Sequence, residues 1–523
     1  MQNDSAIVPP DNFARRSDKR QNTMKFAPAA KVSLLLTCFV ALLLPGWAAQ
    51  AQLAVAWQPP AKIPGLSESG LDPVFVTDSA GSLHLFHSQP VGDYLRIFYI
   101  RWSLQEGWST LVDIITAPRG GARVYGACLD QQGWMHLLFF GGDDLQAEMY
   151  YTKAPALSAG KSTAWSAPRL IGDAAITPSD GDLFCDGKGF LMAAYSGKLK
   201  GNGIYMLQSL DHGQTWSQPE PLFITYSDAL WPYAFRFSPG TAGNAYAVWS
   251  LKDETGNSQA VYFARFAQPT LTWSPPFRLA SVTEFTADTP NVIEHQGQLI
   301  AIYHNGFPST RWMRTSPDAG ETWSSPVRLF EQVGSNGAAS LVVDSQERLS
   351  VLFGNRVGDP AIHGVWQSDW LGQRWSQPVG VVAGPQIVVG PNGEEGFDPS
   401  FIQAEVIQGN LLFALWRHDP RAGPTNIWYA YRLLDSPALP THSVPTVWLS
   451  PTPTIPPLPD ALGTPEPPAQ SANQPPAASP TATFDKSAPA NTNINNPNTS
   501  ILVGIVPVGL LILLAIFIQR RQR

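Results

Sequence analysis

The sequence predicts an all-β chain folded as a β-propeller of four-stranded blades, seven in number, with six as the alternative. Three observations carry that reading. A Trp opening a strand, usually followed by Ser and Pro, recurs at Trp57, Trp108, Trp165, Trp216, Trp273, Trp323 and Trp375, at separations of 51, 57, 51, 57, 50 and 52 residues. That period suits a four-stranded blade with its loops. Each unit also carries an apolar strand ending in aromatics, such as Leu191-Met-Ala-Ala-Tyr195, Leu299-Ile-Ala-Ile-Tyr303 and Leu411-Leu-Phe-Ala-Leu-Trp416. Their β-branched and aromatic content points to strand rather than helix. Finally, the last unit has no Trp strand of its own, and Trp57 has no unit. Joining the two closes a ring and leaves no open sheet edge.

The rest of the chain falls into place around this ring. Residues 1–51 read as a leader, with a secretory signal from about Met24: Lys25 and Lys31, then an apolar run, then Ala49-Gln50-Ala51 as a cleavage site. Residues 52–434 form the propeller. Residues 435–500, rich in Pro, Ser, Thr, Ala and Asn, read as a disordered stalk. Ile501 to Ile518 carries no charge, and its 18 residues are long enough to cross a bilayer core as a helix. The basic tail 519–523 then lies in the cytoplasm and the propeller outside the cell.

Composition excludes several classes. A net charge of −7 with no basic stripe argues against nucleic acid. Three cysteines are too few for a disulfide scaffold. Cys38 falls in the leader, and Cys128 and Cys185 fall in neighbouring repeats, where unpaired core thiols are preferred over a bridge. No metal-ligand spacing appears, so no metal and no cofactor are expected.

Two stretches share one grammar: Ser209-Leu-Asp211-His-Gly213-Gln-Thr215-Trp216 and Ser316-Pro-Asp318-Ala-Gly320-Glu-Thr322-Trp323. In each, Asp accepts backbone N–H groups inside a turn, Gly takes the positive φ, and Thr-Trp starts the return strand, with Trp laid across the hairpin. The pattern resembles the Asp box, or BNR repeat, of the sialidase superfamily. The resemblance implies a propeller with these boxes on the outer hairpins, away from the functional face. Both Asp residues are therefore read as structural, since a shared fold does not carry chemistry with it.

The opposite face collects the candidate site. Asp72, Asp182, Asp288 and Asp398 stand at similar positions entering the inner strands, make the channel mouth acidic and are the catalytic-carboxyl candidates, the alternative being that each caps its own turn. Tyr303 is a nucleophile candidate by position. Arg123, Trp249, His304, Arg356, Trp416 and Arg417 are candidate ligand contacts, because rings stack on a pyranose and polar groups take its hydroxyls. The arginine clamp, Tyr nucleophile and Arg-Ile-Pro element of the resembled enzymes are not recognisable here; Arg96-Ile97 is followed by Phe98. The expected function is binding of an extracellular glycan or other polymer by a membrane-anchored propeller. A surface-held exo-acting glycosidase, such as a divergent sialidase, and a protein-interaction propeller are the alternatives.

Overall fold

A computed structural model describes residues 56–66, 73–142, 147–173, 180–281, 287–305, 310–331, 336–355, 362–383, 399–418 and 426–447. They form seven antiparallel sheets in sequence order, each a blade whose first strand is innermost. Blade 1 starts at Val74–Thr77, blade 2 at Gly121–Leu129 and blade 3 at Gly181–Cys185. Blade 4 starts at Leu230–Pro239, blade 5 at Ala287–His295, blade 6 at Asn336–Val343 and blade 7 at Pro399–Ile407. The ring closes as the sequence implies. Ala61–Lys62 is the outer strand of blade 7, with Ala61 opposite Tyr429 and Lys62 opposite Trp428. Gln58 N–H donates to Tyr431 O at 2.8 Å and Ile63 N–H to Ile427 O at 3.0 Å, which extends that pairing on both sides.

Blade stacking explains the strand composition. A hydrophobic cluster fills each junction between neighbouring blades. Second strands are covered on both faces, so Leu191–Gly197 and Leu349–Asn355 are buried along their whole length. First strands alternate instead, as in Gly121–Leu129, because one face looks into the channel.

The two Ser-x-Asp-x-Gly-x-Thr-Trp hairpins join the third and fourth strands of blades 3 and 5, with matching hydrogen bonds. Asp211 Oδ1 accepts the Thr215 amide at 2.8 Å, and Asp318 Oδ1 accepts that of Thr322 at 2.8 Å. Each Ser hydroxyl donates to its Asp and accepts the Gly amide. The Trp also reaches back to the preceding blade, while Trp323 Nε1 donates to Gly320 O of its own hairpin at 3.2 Å, as the sequence suggested. Trp216 meets Tyr151 edge-on at 5.0 Å, and Trp323 meets Phe263 at 5.0 Å. Gly213 and Gly320 have φ of +76° and +94°, and a Cβ on either would collide with Tyr151 or Phe263. The glycines serve the turn and the blade contact together.

Two further expectations are corrected. Cys128 and Cys185 form a disulfide with Cα atoms 6.1 Å apart. Both lie on inner strands, and stacking of blades 2 and 3 brings equivalent positions face to face. The stretch 435–447, read as stalk, packs against the ring. Asp435 pairs with Arg348 of blade 6, and Leu439 N–H donates to Gln408 O of blade 7 at 2.7 Å. His442 N–H donates to Ser79 O of blade 1 at 2.8 Å, and Val444 is buried between blades 1 and 2. The segment therefore straps four blades across the face that carries the hairpins. The leader, the remaining stalk, the apolar run 501–518 and the basic tail lie outside the described residues. Among the described residues no helix is long and apolar enough to cross a membrane.

Candidate functional site

The inner strands enclose a channel cavity of about 290 Å³. Five of these strands bulge where they line it: between Val124 and Gly126, Tyr233 and Arg236, Asp288 and Asn291, Asn336 and Ala339, and Ser400 and Gln403. At three of these bulges a non-glycine residue takes the left-handed region: Ala234 at φ 54°, Thr289 at 44° and Phe401 at 50°. Bulges of this kind re-aim side chains and concentrate beside functional sites.

A belt of polar contacts holds the wall. Asp182 Oδ2 accepts Phe237 N–H at 2.9 Å and Asp180 Oδ2 accepts Phe235 N–H at 2.7 Å, joining blades 3 and 4. Asn291 Nδ2 donates to Ala339 O at 3.0 Å, joining blades 5 and 6. Gln403 Nε2 donates to Pro73 O at 2.7 Å, joining blades 7 and 1. Ser340 Oγ accepts Ala404 N–H at 2.9 Å, joining blades 6 and 7. Two arginines belong to the same wall. Arg236 lies 3.9 Å from Asp180 Oδ1, and Arg123 lies over the Tyr125 ring at 5.2 Å.

The acids of the wall are unlike surface carboxylates. Burial raises the Asp182 carboxyl to about 6, against the pull of Arg236 and two backbone N–H donors. Burial raises Asp180 as well, opposed first by Arg236. Glu405, on blade 7, is pushed up to about 7. Its side chain is exposed to solvent where it lines the channel. The cavity thus sets two guanidinium groups and the rings of Tyr233 and Phe401 against acids that change charge near neutral pH. Such a lining presents hydrogen-bond donors, acceptors and ring faces together, and its acids can give or take protons.

Of the residues singled out in the sequence, Arg123 and Asp182 line this cavity together. The others divide by position. Trp249 and Trp416 are fully buried in the blade cores and offer no face to a ligand. Tyr303 is buried between blades 4 and 5, and burial raises its hydroxyl to about 12, far from a nucleophile's range. His304 is buried too, which lowers its pKa to about 4 and keeps it neutral. For Asp288 burial would raise the pKa, but Lys252 at 3.3 Å and the Ser250 hydroxyl at 2.7 Å outweigh it and hold the group ionised. It is an ion pair between blades 4 and 5. Arg417 lies over the Phe401 ring at 4.5 Å, behind the channel wall. Asp72, Asp398 and Arg356 lie outside the described residues.

Arg236, Asn291, Gln403 and Glu405 were not singled out, because they sit within inner strands and not at strand ends. The available signal was polar residues interrupting otherwise apolar inner strands, as in Ile402-Gln403-Ala404-Glu405. Among the described residues no group of three or more His, Cys, Asp or Glu side chains is placed to hold a metal ion.

No family model matches the chain, and no curated protein matches it. Solved structures do. A protein of unknown function from Dyadobacter fermentans is 14% identical with a TM-score of 0.48, over 72% of this chain and 99% of that one. An ulvan lyase, a polysaccharide lyase, is 12% identical with a TM-score of 0.49, over 73% of this chain and 94% of that one. The NanB sialidase of Streptococcus pneumoniae is 12% identical with a TM-score of 0.41, over 72% of this chain and 70% of that one. At such identities the likeness lies in the chain path and not in the chemistry.

Proposed function

We propose that the central channel of this propeller binds a carbohydrate. One observation carries the reading: a cavity of about 290 Å³ combines Arg123 and Arg236, Asp182 and Glu405, and the rings of Tyr233 and Phe401. Sugars present hydroxyls and apolar ring faces together, and this lining offers both kinds of partner. The repeated Ser-x-Asp-x-Gly-x-Thr-Trp hairpins support placing the chain in the sialidase superfamily. Export and a C-terminal membrane anchor at 501–518 complete the proposal, supported by the apolar run and its flanking Arg520, Arg521 and Arg523. The Cys128–Cys185 disulfide supports an oxidising compartment. A glycan array probed with the propeller and with its Arg236→Ala variant tests the reading. Binding that the substitution abolishes is the expected result, and a blank array with folded protein overturns it.

A specific observation also favours glycoside cleavage as a second reading. Asp182 of blade 3 and Glu405 of blade 7 both line the one cavity, and the pKa of each is raised toward neutrality. Acids in that range supply and remove protons at neutral pH, as a pair of carboxyls does in glycoside hydrolysis. Turnover of fluorogenic glycosides, lost in Glu405→Gln with binding retained, distinguishes an enzyme from a binder.

A further inference from the structure

A second cavity, of about 80 Å³, opens between blades 3 and 4. Its walls come from the connection between the second and third strands of blade 3 and from the segment entering the inner strand of blade 4. Ser196, Lys198, Asn202, Asp228 and Trp231 are the side chains that matter. The two loops are tied together: Asn202 Nδ2 donates to Asp228 O at 2.8 Å and to Leu230 O at 3.2 Å. Ser196 Oγ donates to Pro232 O at 3.3 Å.

This small cavity and the channel share a wall at two points. Pro232 bounds the small cavity, and the next residue, Tyr233, bounds the channel. On the other side Ser196 N–H donates to Asp180 O at 2.9 Å, and Asp180 bounds the channel. On the blade 4 side the two linings are therefore consecutive residues, about 3.8 Å between Cα atoms. The lining of the small cavity has the same mixture as the channel. Trp231 gives a half-buried ring for a sugar face, while Lys198 and Asp228 give a charged donor and acceptor at the solvent edge.

We propose that this cavity is a second sugar subsite, so the ligand is an oligosaccharide or polysaccharide chain running from the channel across blades 3 and 4. The inference rests on the carbohydrate reading and adds to it the ligand's length and its path. Volume supports it: the channel alone sits at the lower end of ordinary ligand pockets, roughly 300–1,000 Å³, and the small cavity takes only part of a ring. A ligand limited to one terminal sugar leaves Trp231 unused.

The test measures affinity of the full-length chain for hyaluronan, chitin and cellulose ladders, from disaccharide to octasaccharide. The expected result is that one ladder binds with affinity rising about tenfold along its length. Trp231→Ala removes that rise and leaves the disaccharide affinity unchanged. Lys198→Ala, at an exposed position that does not threaten folding, reduces the rise with thermal unfolding unaltered. Arg236→Ala weakens every member of the ladder alike. Affinity that is flat with length, or a rise that survives both Trp231→Ala and Lys198→Ala, overturns the subsite and leaves the channel reading intact. Failure of all three ladders and of the glycan array together overturns both.

Discussion

The Asp182 carboxylate accepts the Phe237 amide hydrogen at 2.9 Å and its own neighbour's, Leu183, at 2.8 Å. One side chain thereby joins the inner strands of blades 3 and 4 and faces the channel cavity. Asp182 is both a rivet of the ring and a candidate ligand contact. Asp182→Ala leaves a partly buried amide unpaired and is expected to cost about 1–3 kcal/mol of stability. Asp182→Asn keeps an acceptor and is expected to cost less. Urea unfolding of both variants checks the order.

The acids of the channel make stability depend on pH in a defined window. Glu405 rises from 4.5 to about 7 on folding and Asp182 from 3.8 to about 6. An acid whose pKa is raised in the folded state stabilises fully below its unfolded value and loses that contribution as pH rises through its folded value. Tm is therefore expected to decline between about pH 4 and 7 through these groups. Glu405→Gln is expected to flatten the upper part of that decline. Differential scanning fluorimetry across this range measures it.

The hairpin acids act in the opposite sense and at lower pH. Asp211 and Asp318 each fall from 3.8 to about 2. For Asp211 slight burial works against the Thr215 and Ser209 hydrogen bonds, which prevail; for Asp318 the Thr322 and Ser316 bonds dominate. Their stabilisation is present above the unfolded value and is lost as pH falls through about 2. Asp211→Ala and Asp318→Ala are expected to lower Tm at neutral pH with sugar affinity unchanged. Selective loss of affinity there contradicts a structural role for the hairpins.

Trp249 is completely buried in the cluster between blades 3 and 4. Trp249→Ala is expected to cost about 3–5 kcal/mol and to weaken ligand binding only through unfolding. Equal affinity per folded molecule, measured by ligand titration against the folded fraction, checks this.

The disulfide and the strap are expected to support the ring from two sides. Reducing Cys128–Cys185, which closes a loop 57 residues apart in sequence, is expected to cost about 2–4 kcal/mol. A fragment of residues 52–447 is expected to unfold at higher temperature than one of residues 52–434. The longer fragment keeps the contacts of Leu439, His442 and Val444. Thermal unfolding with and without reductant tests both.

The ring was legible in the sequence because its determinants are local. The Trp strands, the seven apolar second strands and the unpartnered Trp57 fix blade number and closure, and the hairpin acids bond within five residues of themselves. The site was only half legible. Alternation cannot tell which ends of the second strands emerge, since stacking covers both faces, and so Trp249, Trp416 and Tyr303 looked available when they are core. Arg236 and Glu405 lie mid-strand. Bulges at Ala234 and Phe401 add one residue to their strands, which shifts the phase of alternation before those side chains. Unpaired thiols looked preferable to a Cys128–Cys185 bridge because that pairing follows from blade stacking and not from sequence spacing.

The most direct test of carbohydrate binding in the channel is isothermal titration of residues 52–447 with the best glycan from an array, comparing wild type with Arg236→Ala and Glu405→Ala. The account predicts measurable affinity for wild type and at least about a tenfold loss in each folded variant. Unchanged affinity in both variants, with unfolding temperatures matching wild type, would place the ligand elsewhere and contradict it.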